Sequence, residues 1–311
     1  MNLSLISLEQ VAIMFIMIML GYILVKTKLV NPDSKKSLSN ILVYVVVPCM
    51  IINSFIATYD DSILENLLWS FLVSFILLVL GIVISFIICI KYKTSDKPIL
   101  LFALMFSNAS YMGIPLIQAL FGDIGVIYAS GFLTLFNVLL WTVGYMVVSK
   151  TFNIKSNLIS ILKTPIIYSL IIGLLIFIFQ IPIPSIIKTP LSLLGNMNTP
   201  LSMLVTGMII GSSNIFSVMK NKYVWLNVSF RLLLIPLVCL GVTYLLSFLP
   251  ISKDVLKIAF ILMATPSAAI TSIFAIKFNY NEDVAAGVVI ISTILSIITL
   301  PLFTLAIDSL I

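Results

Sequence analysis

Two short stretches hold most of the polar chemistry that this sequence sets inside apolar surroundings. The first is Ser107-Asn108-Ala109-Ser110-Tyr111-Met112-Gly113-Ile114-Pro115-Leu116, and the second is Met263-Ala264-Thr265-Pro266-Ser267-Ala268. Asn108 carries a hydrogen-bond donor and an acceptor on one amide. Proline removes a helical hydrogen bond and clashes with the preceding turn, so each stretch predicts a broken helix. In the first, Gly113 eases an extended crossing segment ahead of Pro115. In the second, Thr265 is placed to cap a new half-helix whose first residue is Pro266. Half-helices that start near Gly113 and Ser267 would offer free N–H groups and positive dipole ends to an anion. The carbonyl ends of the preceding half-helices offer the reverse, so dipoles alone leave the sign of a ligand open.

Side chains elsewhere narrow the choice. All eleven carboxylates fall in loops or at the ends of apolar runs, so no acid inside a run is available to hold Na⁺ or relay protons. The chain has no histidine, and Cys49, Cys89 and Cys239 lie singly in apolar stretches without CxxC spacing, which argues against zinc sites, disulfide frameworks and bound cofactors. A hydrolase would lack its usual acid and base groups. Arg231 is the one deeply placed charge; it could attract a carboxylate or satisfy backbone carbonyls freed by the breaks. Asn196 and Asn198, ahead of Pro200, could face the same cavity or cap a terminus, and Asn53 reads as a bond between helices.

The elements that position these residues are membrane spans. The chain of 311 residues is 61% hydrophobic and 9% charged, against about 45–50% apolar and 25% charged in soluble domains. Apolar runs fall near 8–25, 38–58, 64–90, 99–121 and 124–149, then 164–180, 197–212, 223–248, 254–278 and 283–306. The first run carries Glu9, has no basic residue before it and is read as a retained helix. A crossing takes about 20 apolar residues through about 30 Å of hydrocarbon, so ten crossings with short loops are expected. Ile99 to Asn108 and Asp254 to Ala264 each cover about 15 Å of helix, which puts both breaks at the midplane. Unpaired backbone there is tolerated where it lines a cavity or meets protein.

Lysines gather on alternate connections: 26, 28, 35 and 36; 91, 93 and 97; 150, 155 and 163; 220 and 222; and 277. The positive-inside bias then places both termini outside and makes the number of crossings even. Pro48 and Pro200 lie 152 residues apart, and Pro115 and Pro266 lie 151 apart, which suggests two five-helix repeats, 1–150 and 151–311. Five is odd, so the second copy would be inverted, as in many secondary transporters. Residues 182–194 read as a short helix on the outer surface. The expected fold is an all-α integral membrane protein of ten transmembrane helices in two inverted repeats, with the fourth and ninth broken and crossing.

At these residues the sequence resembles the auxin efflux carrier family, which includes bacterial malate or malonate permeases and the plant PIN-formed auxin carriers. Asn108 through Gly122 is similar to the family's fourth-helix motif, and Thr265-Pro266 with Phe278-Asn279, Asp283, Ser292-Thr293 and Leu300-Pro301 resembles its C-terminal signature. Pro48, Gly207 and Arg231 to Pro236 resemble weaker marks. The resemblance implies a fold like that of sodium–proton antiporters and bile-acid transporters, usually dimeric. Helices 1, 2, 6 and 7 would be the scaffold, and helices 3–5 and 8–10 a mobile domain. It also implies that Asn108 binds a substrate carboxylate, with a residue near Asn196 and the residue before Pro48, Val47, lining the same site. The chain differs from many plant carriers in its short 150–163 connection and in Ser267, where they have glutamine. The expected activity is alternating-access transport of a small organic anion such as malate, malonate or an auxin-like acid, in a multi-pass cytoplasmic membrane, with no nucleic-acid partner. The alternative is a sodium- or proton-coupled carrier of another solute. The expected ligand set is Asn108, Gly113, Pro115, Asn196, Thr265, Pro266, Ser267 and Val47. Sixteen lysines to one arginine hint at a bacterial source.

Overall fold

A helix whose whole circumference is apolar gains nothing from facing water, so the long runs of Leu, Ile, Val and Phe fold into helices that face lipid or one another. The computed structural model describes residues 3–57, 59–150, 165–212 and 220–311, and these are all-helical apart from turns and two short extended segments. In chain order the helices are α1 (Leu3–Lys26), α2 (Ser34–Ser54), α3 (Asp61–Cys89), α4 (Lys97–Met105) and α5 (Ala109–Ser149). There follow α6 (Pro165–Phe179), α7 (Ser185–Asn196), α8 (Asn198–Gly211), α9 (Lys222–Leu246), α10 (Lys253–Ala264), α11 (Ile270–Lys277) and α12 (Glu282–Leu310). Seven stretches among the described residues are long and apolar enough to cross a membrane, with α6 shorter. Lys155, Lys163 and most of the 150–163 connection lie outside the described residues.

Large side chains such as Ile16, Leu68, Ile87, Leu245 and Ile298 stand on the outside of the bundle, where lipid is the only solvent that suits them. The exposed turns carry conventional caps: the Asp60 carboxylate accepts from the Ser62 N–H at 2.8 Å to start α3, and Asn221 accepts from Tyr223 to start α9. That bond to Ser62 holds the Asp60 carboxyl below the usual carboxylate range.

Within α5, Gly122 has φ 63 and ψ −154, a conformation costly for any residue with a Cβ, and the helix turns back there. The segment expected as a separate surface helix, 182–194, is α7, which passes through the helical backbone of Met197 into α8. α8 lies directly on α1. A Cβ built on Gly207 would stand 1.9 Å from the Ile18 carbonyl oxygen, and one on Gly21 would stand 2.2 Å from that of Leu204. Only glycine permits two backbones to approach this closely.

Four wide π-turns interrupt the described helices: Leu42–Val46 in α2, Ala109–Gly113 and Leu140–Gly144 in α5, and Phe230–Leu234 in α9. Three of them end two residues before a proline, at Pro48, Pro115 and Pro236. The ring of a proline collides with the carbonyl four residues back, and widening the preceding turn moves that carbonyl aside. Such turns recur at functional sites.

Candidate functional site

Both predicted breaks are present, but their boundaries differ from the sequence reading. α4 ends at Met105, nine residues or about 13.5 Å from its start. Phe106 is extended (φ −111, ψ 124), Asn108 has φ −81 and ψ 44, and helix resumes at Ala109. Gly113 is helical, with φ −66 and ψ −53, and donates its N–H to the Asn108 backbone carbonyl at 3.2 Å. It is therefore not an extended crossing residue with a free N–H. Its lack of a side chain serves packing: a Cβ there would meet Leu262 Cδ2 at 2.6 Å and Thr265 Cγ2 at 3.4 Å. Pro115 sits in the first turn of the regular helix rather than in the break.

In the second break α10 ends at Ala264 and α11 begins only at Ile270. Thr265, with φ −62 and ψ 156, closes α10 and does not cap the next helix; its hydroxyl donates back to the Leu262 carbonyl at 2.9 Å. Pro266 lies in the extended segment, not at the first position of a half-helix. Pro115 and Pro266 thus occupy different places relative to their breaks.

The extended segments cross as a minimal antiparallel pair. The Asn108 N–H donates to the Pro266 carbonyl at 2.7 Å, and the Ala268 N–H to the Phe106 carbonyl at 2.9 Å. Ser107 and Ser267 face each other between these bonds, the arrangement in which side chains of an antiparallel pair come closest. Both hydroxyls are buried and without partners. The Ser267 N–H is taken by Ser292 Oγ at 3.2 Å.

Arg231 is bonded to backbone carbonyls at both breaks. It is fully buried in the wide turn of α9. Its guanidinium donates to the carbonyl of Leu104 at 3.1 Å, that of Met263 at 2.5 Å and that of Thr265 at 2.9 and 3.2 Å. These carbonyls belong to the ends of α4 and α10, where helical geometry leaves acceptors unfilled and the dipoles are negative. One cation therefore closes both first half-helices, and its rigid fork of five donors suits the task better than an ammonium.

Beside the crossing lies a cavity of about 350 Å³. Its polar lining comes from Ser39, Asn40, Ser107, Asn108, Ser110 and Asn137, and its walls from Val47, Tyr44, Tyr111, Phe136, Trp141 and aliphatic residues of α6, α8 and α11. Among the described residues no charged side chain lines it. Three of the four wide turns contribute residues: Tyr44, Tyr111 and Trp141 each sit in one. The Asn108 amide nitrogen is buried and has no partner, and Ser110 and Tyr111 open the first turn of α5, whose N–H groups lack intrahelical acceptors. The Asn137 amide already donates to the Leu133 carbonyl at 2.7 Å. The cavity runs from the crossing toward the ends of α2, α5 and α11 that carry Lys35, Lys36, Lys150 and Lys277.

Of the expected ligand set, the structure brings Asn108 and Val47 to this cavity. Gly113, Pro115, Thr265, Pro266 and Ser267 are buried behind it, building the crossing rather than lining the space. Asn196 is exposed at the end of α7, away from the cavity. Sequence reasoning passed over Ser39, Asn40, Tyr44, Tyr111, Asn137 and Trp141. A signal for part of the wall existed: Asn40 and Tyr44, and Asn137 and Trp141, are each four residues apart, which puts each pair on one helix face.

An all-helical bundle of apolar helices, with a cavity where two interrupted helices cross, is that of a multi-pass membrane protein. The chain belongs to the membrane transport protein family, whose model matches residues 6–304, as the resemblance to auxin efflux carriers implied. It is similar to an uncharacterized transporter of Methanothermobacter thermautotrophicus, 22% identical over 303 residues that cover 96% of this chain and 97% of that protein. It is also similar to the uncharacterized transporter MJ1031 of Methanocaldococcus jannaschii, 23% identical over 316 residues, 96% of this chain and 98% of that one.

Proposed function

We propose that this transporter is a secondary carrier that moves a small organic carboxylate across the cytoplasmic membrane by alternating access, with Asn108 holding the anion. The observation that carries the reading is the buried, unpartnered Asn108 amide nitrogen, beside the N-terminal turn of α5, at a cavity with no charged side chain among its described lining residues. A buried donor left unpaired costs free energy, and a carboxylate oxygen would satisfy it while the helix dipole supplies the remaining positive potential.

Ten crossings follow when α5 is divided at Gly122 and the pairs α4 with the start of α5, α7 with α8, and α10 with α11 are each counted as one. The inverted repeat finds its support in element order: α3 and α9 begin 161 residues apart, at Asp61 and Lys222, and α4 and α10 begin 156 apart, at Lys97 and Lys253. Packing supports an elevator-like division. α1 lies on α8, and α2 on α6 and α7, while α3, α5, α9, α10 and α12 pack among themselves; the groups meet where α1 touches α12 and where α1, α2, α6 and α8 touch α5. By the positive-inside bias the lysine-bearing face is cytoplasmic, so the cavity opens inward and both termini lie outside.

Purified protein in liposomes is expected to take up labelled malate, malonate or an aromatic monocarboxylate, and Asn108→Ala to lose that uptake while keeping its fold. Full uptake by the folded variant would remove Asn108 from the site.

A cation-coupled reading has one observation in its favour: the facing hydroxyls of Ser107 and Ser267, buried and unpartnered at the crossing. Uptake that persists when K⁺ replaces Na⁺ and the pH gradient is collapsed would dismiss it.

A further inference from the structure

Asn198 is completely buried, and both polar atoms of its amide are without partners. Its neighbours along the helix do not share this state: the Ser202 hydroxyl donates to the Thr199 carbonyl at 3.0 Å, and that of Thr206 to the Ser202 carbonyl at 2.8 Å. A buried amide with nothing to bond is costly, and in a native structure such a group calls for a reason.

Helix geometry shows where this amide points. At about 100° per residue, Asn198 lies about 20° from Ile209 around the α8 axis, and Ser202 about 20° to the other side. Ile209 lines the cavity. Gly207 and Gly211 mark the opposite face, closed against Ile18 and Tyr22 of α1. Asn198 and Ser202 therefore continue the cavity-facing side of α8, with Asn198 about 16 Å farther from the lysine-bearing end. In this state that side is covered, and the start of α5, which carries the crossing segment into its helix, is among the elements packed on α8.

We propose that Asn198 is a second hydrogen-bonding station for the carried carboxylate, on the stretch of path that opens to the opposite membrane face when the start of α5 moves off α8. The proposal rests on the reading of the chain as an alternating-access carrier. Asn198 supplies two N–H donors to a carboxylate and no charge, so the anion is met without being trapped. Its orphaned state here is the closed-path counterpart of a bond made in the other state.

Two measurements on the full chain test it. Asn198→Leu replaces an unsatisfied amide by an apolar side chain of similar size, so its melting temperature is expected to match or exceed that of the unmodified protein. Its carboxylate transport is expected to fall about tenfold, the effect of losing one hydrogen bond to a charged group. A stable Asn198→Leu protein with undiminished transport overturns the proposal, because the amide is then an orphan without a task. The second measurement holds even where that variant does not fold. In a chain with Cys49, Cys89 and Cys239 replaced by serine, Asn198→Cys is expected to react with a membrane-impermeant thiol reagent applied from the face opposite the lysine-bearing ends. Met203→Cys, equally buried but about 140° away around the same helix, is expected to stay unmodified. An Asn198→Cys protein that transports yet is never labelled also overturns the proposal. Absence of carboxylate uptake by the unmodified chain overturns the carrier reading itself, and this station with it.

Discussion

The two breaks differ in how much of their polar chemistry the protein keeps for itself. At the second break the backbone groups are spoken for, and the Ser267 hydroxyl is left without a partner. The Thr265 carbonyl is held by Arg231, the Pro266 carbonyl by the Asn108 N–H, the Ser267 N–H by Ser292 and the Ala268 N–H by Phe106. At the first break the backbone is paired likewise, yet the Asn108 amide nitrogen has no partner, and Asn108 and the first turn of α5 line a cavity. One break is a brace and the other a presenting surface. Such a crossing must be rigid on one side if a ligand group on the other is to be held in a fixed place.

The contrast can be attacked at four residues. Arg231→Met strips donors from the carbonyls of Leu104, Met263 and Thr265, and the expected loss is about 3 kcal/mol or more, seen as a collapsed melting temperature or failure to recover monodisperse protein in detergent. Arg231→Lys should recover only part, since an ammonium lacks the planar fork. An Arg231→Met protein that melts normally would mean the brace is held elsewhere. Asn108→Ala is expected to leave the melting temperature in place and cut uptake about tenfold to a hundredfold; a fall in stability instead would make the first break structural too. Gly113→Val drives side-chain atoms into Leu262 and Thr265, with an expected cost of about 1–3 kcal/mol read by thermal melting. Ser292→Ala removes the acceptor from the Ser267 N–H and should cost about 1 kcal/mol with little change in the Michaelis constant for uptake. A large rise in that constant would place the second break in contact with the ligand and dissolve the distinction.

Much of this architecture was legible in the residues. Runs of aliphatic side chains announced the helices, and Pro115 and Pro266 announced interruptions halfway across, because proline's effect on a helix is local. The exact break was not local. Residues 106–108 are extended because they pair with residues 266–268 from the far half of the chain, and no single window of sequence contains both partners. Gly113 was assigned conformational freedom, whereas it answers to the volume of Leu262, about 150 positions away. Asn108 was readable as a candidate because an amide with no charged company in an apolar run stands out. Tyr44, Tyr111 and Trp141 were hidden, since an aromatic residue in an apolar run looks the same whether it meets lipid, core or cavity.

The wide turns ahead of Pro48, Pro115 and Pro236 carry one further consequence. Each holds an extra residue relative to a regular turn, so every side chain beyond it is swung about 100° around the axis. The helix after such a point is out of phase with the helix before it, and a periodicity count run straight through will assign the wrong face. In α2 the phase slips between Leu42 and Val46, so Ser39 and Val47 reach the same space by two different counts. Deleting one residue there would leave the apolar composition untouched and turn the downstream wall away from the crossing.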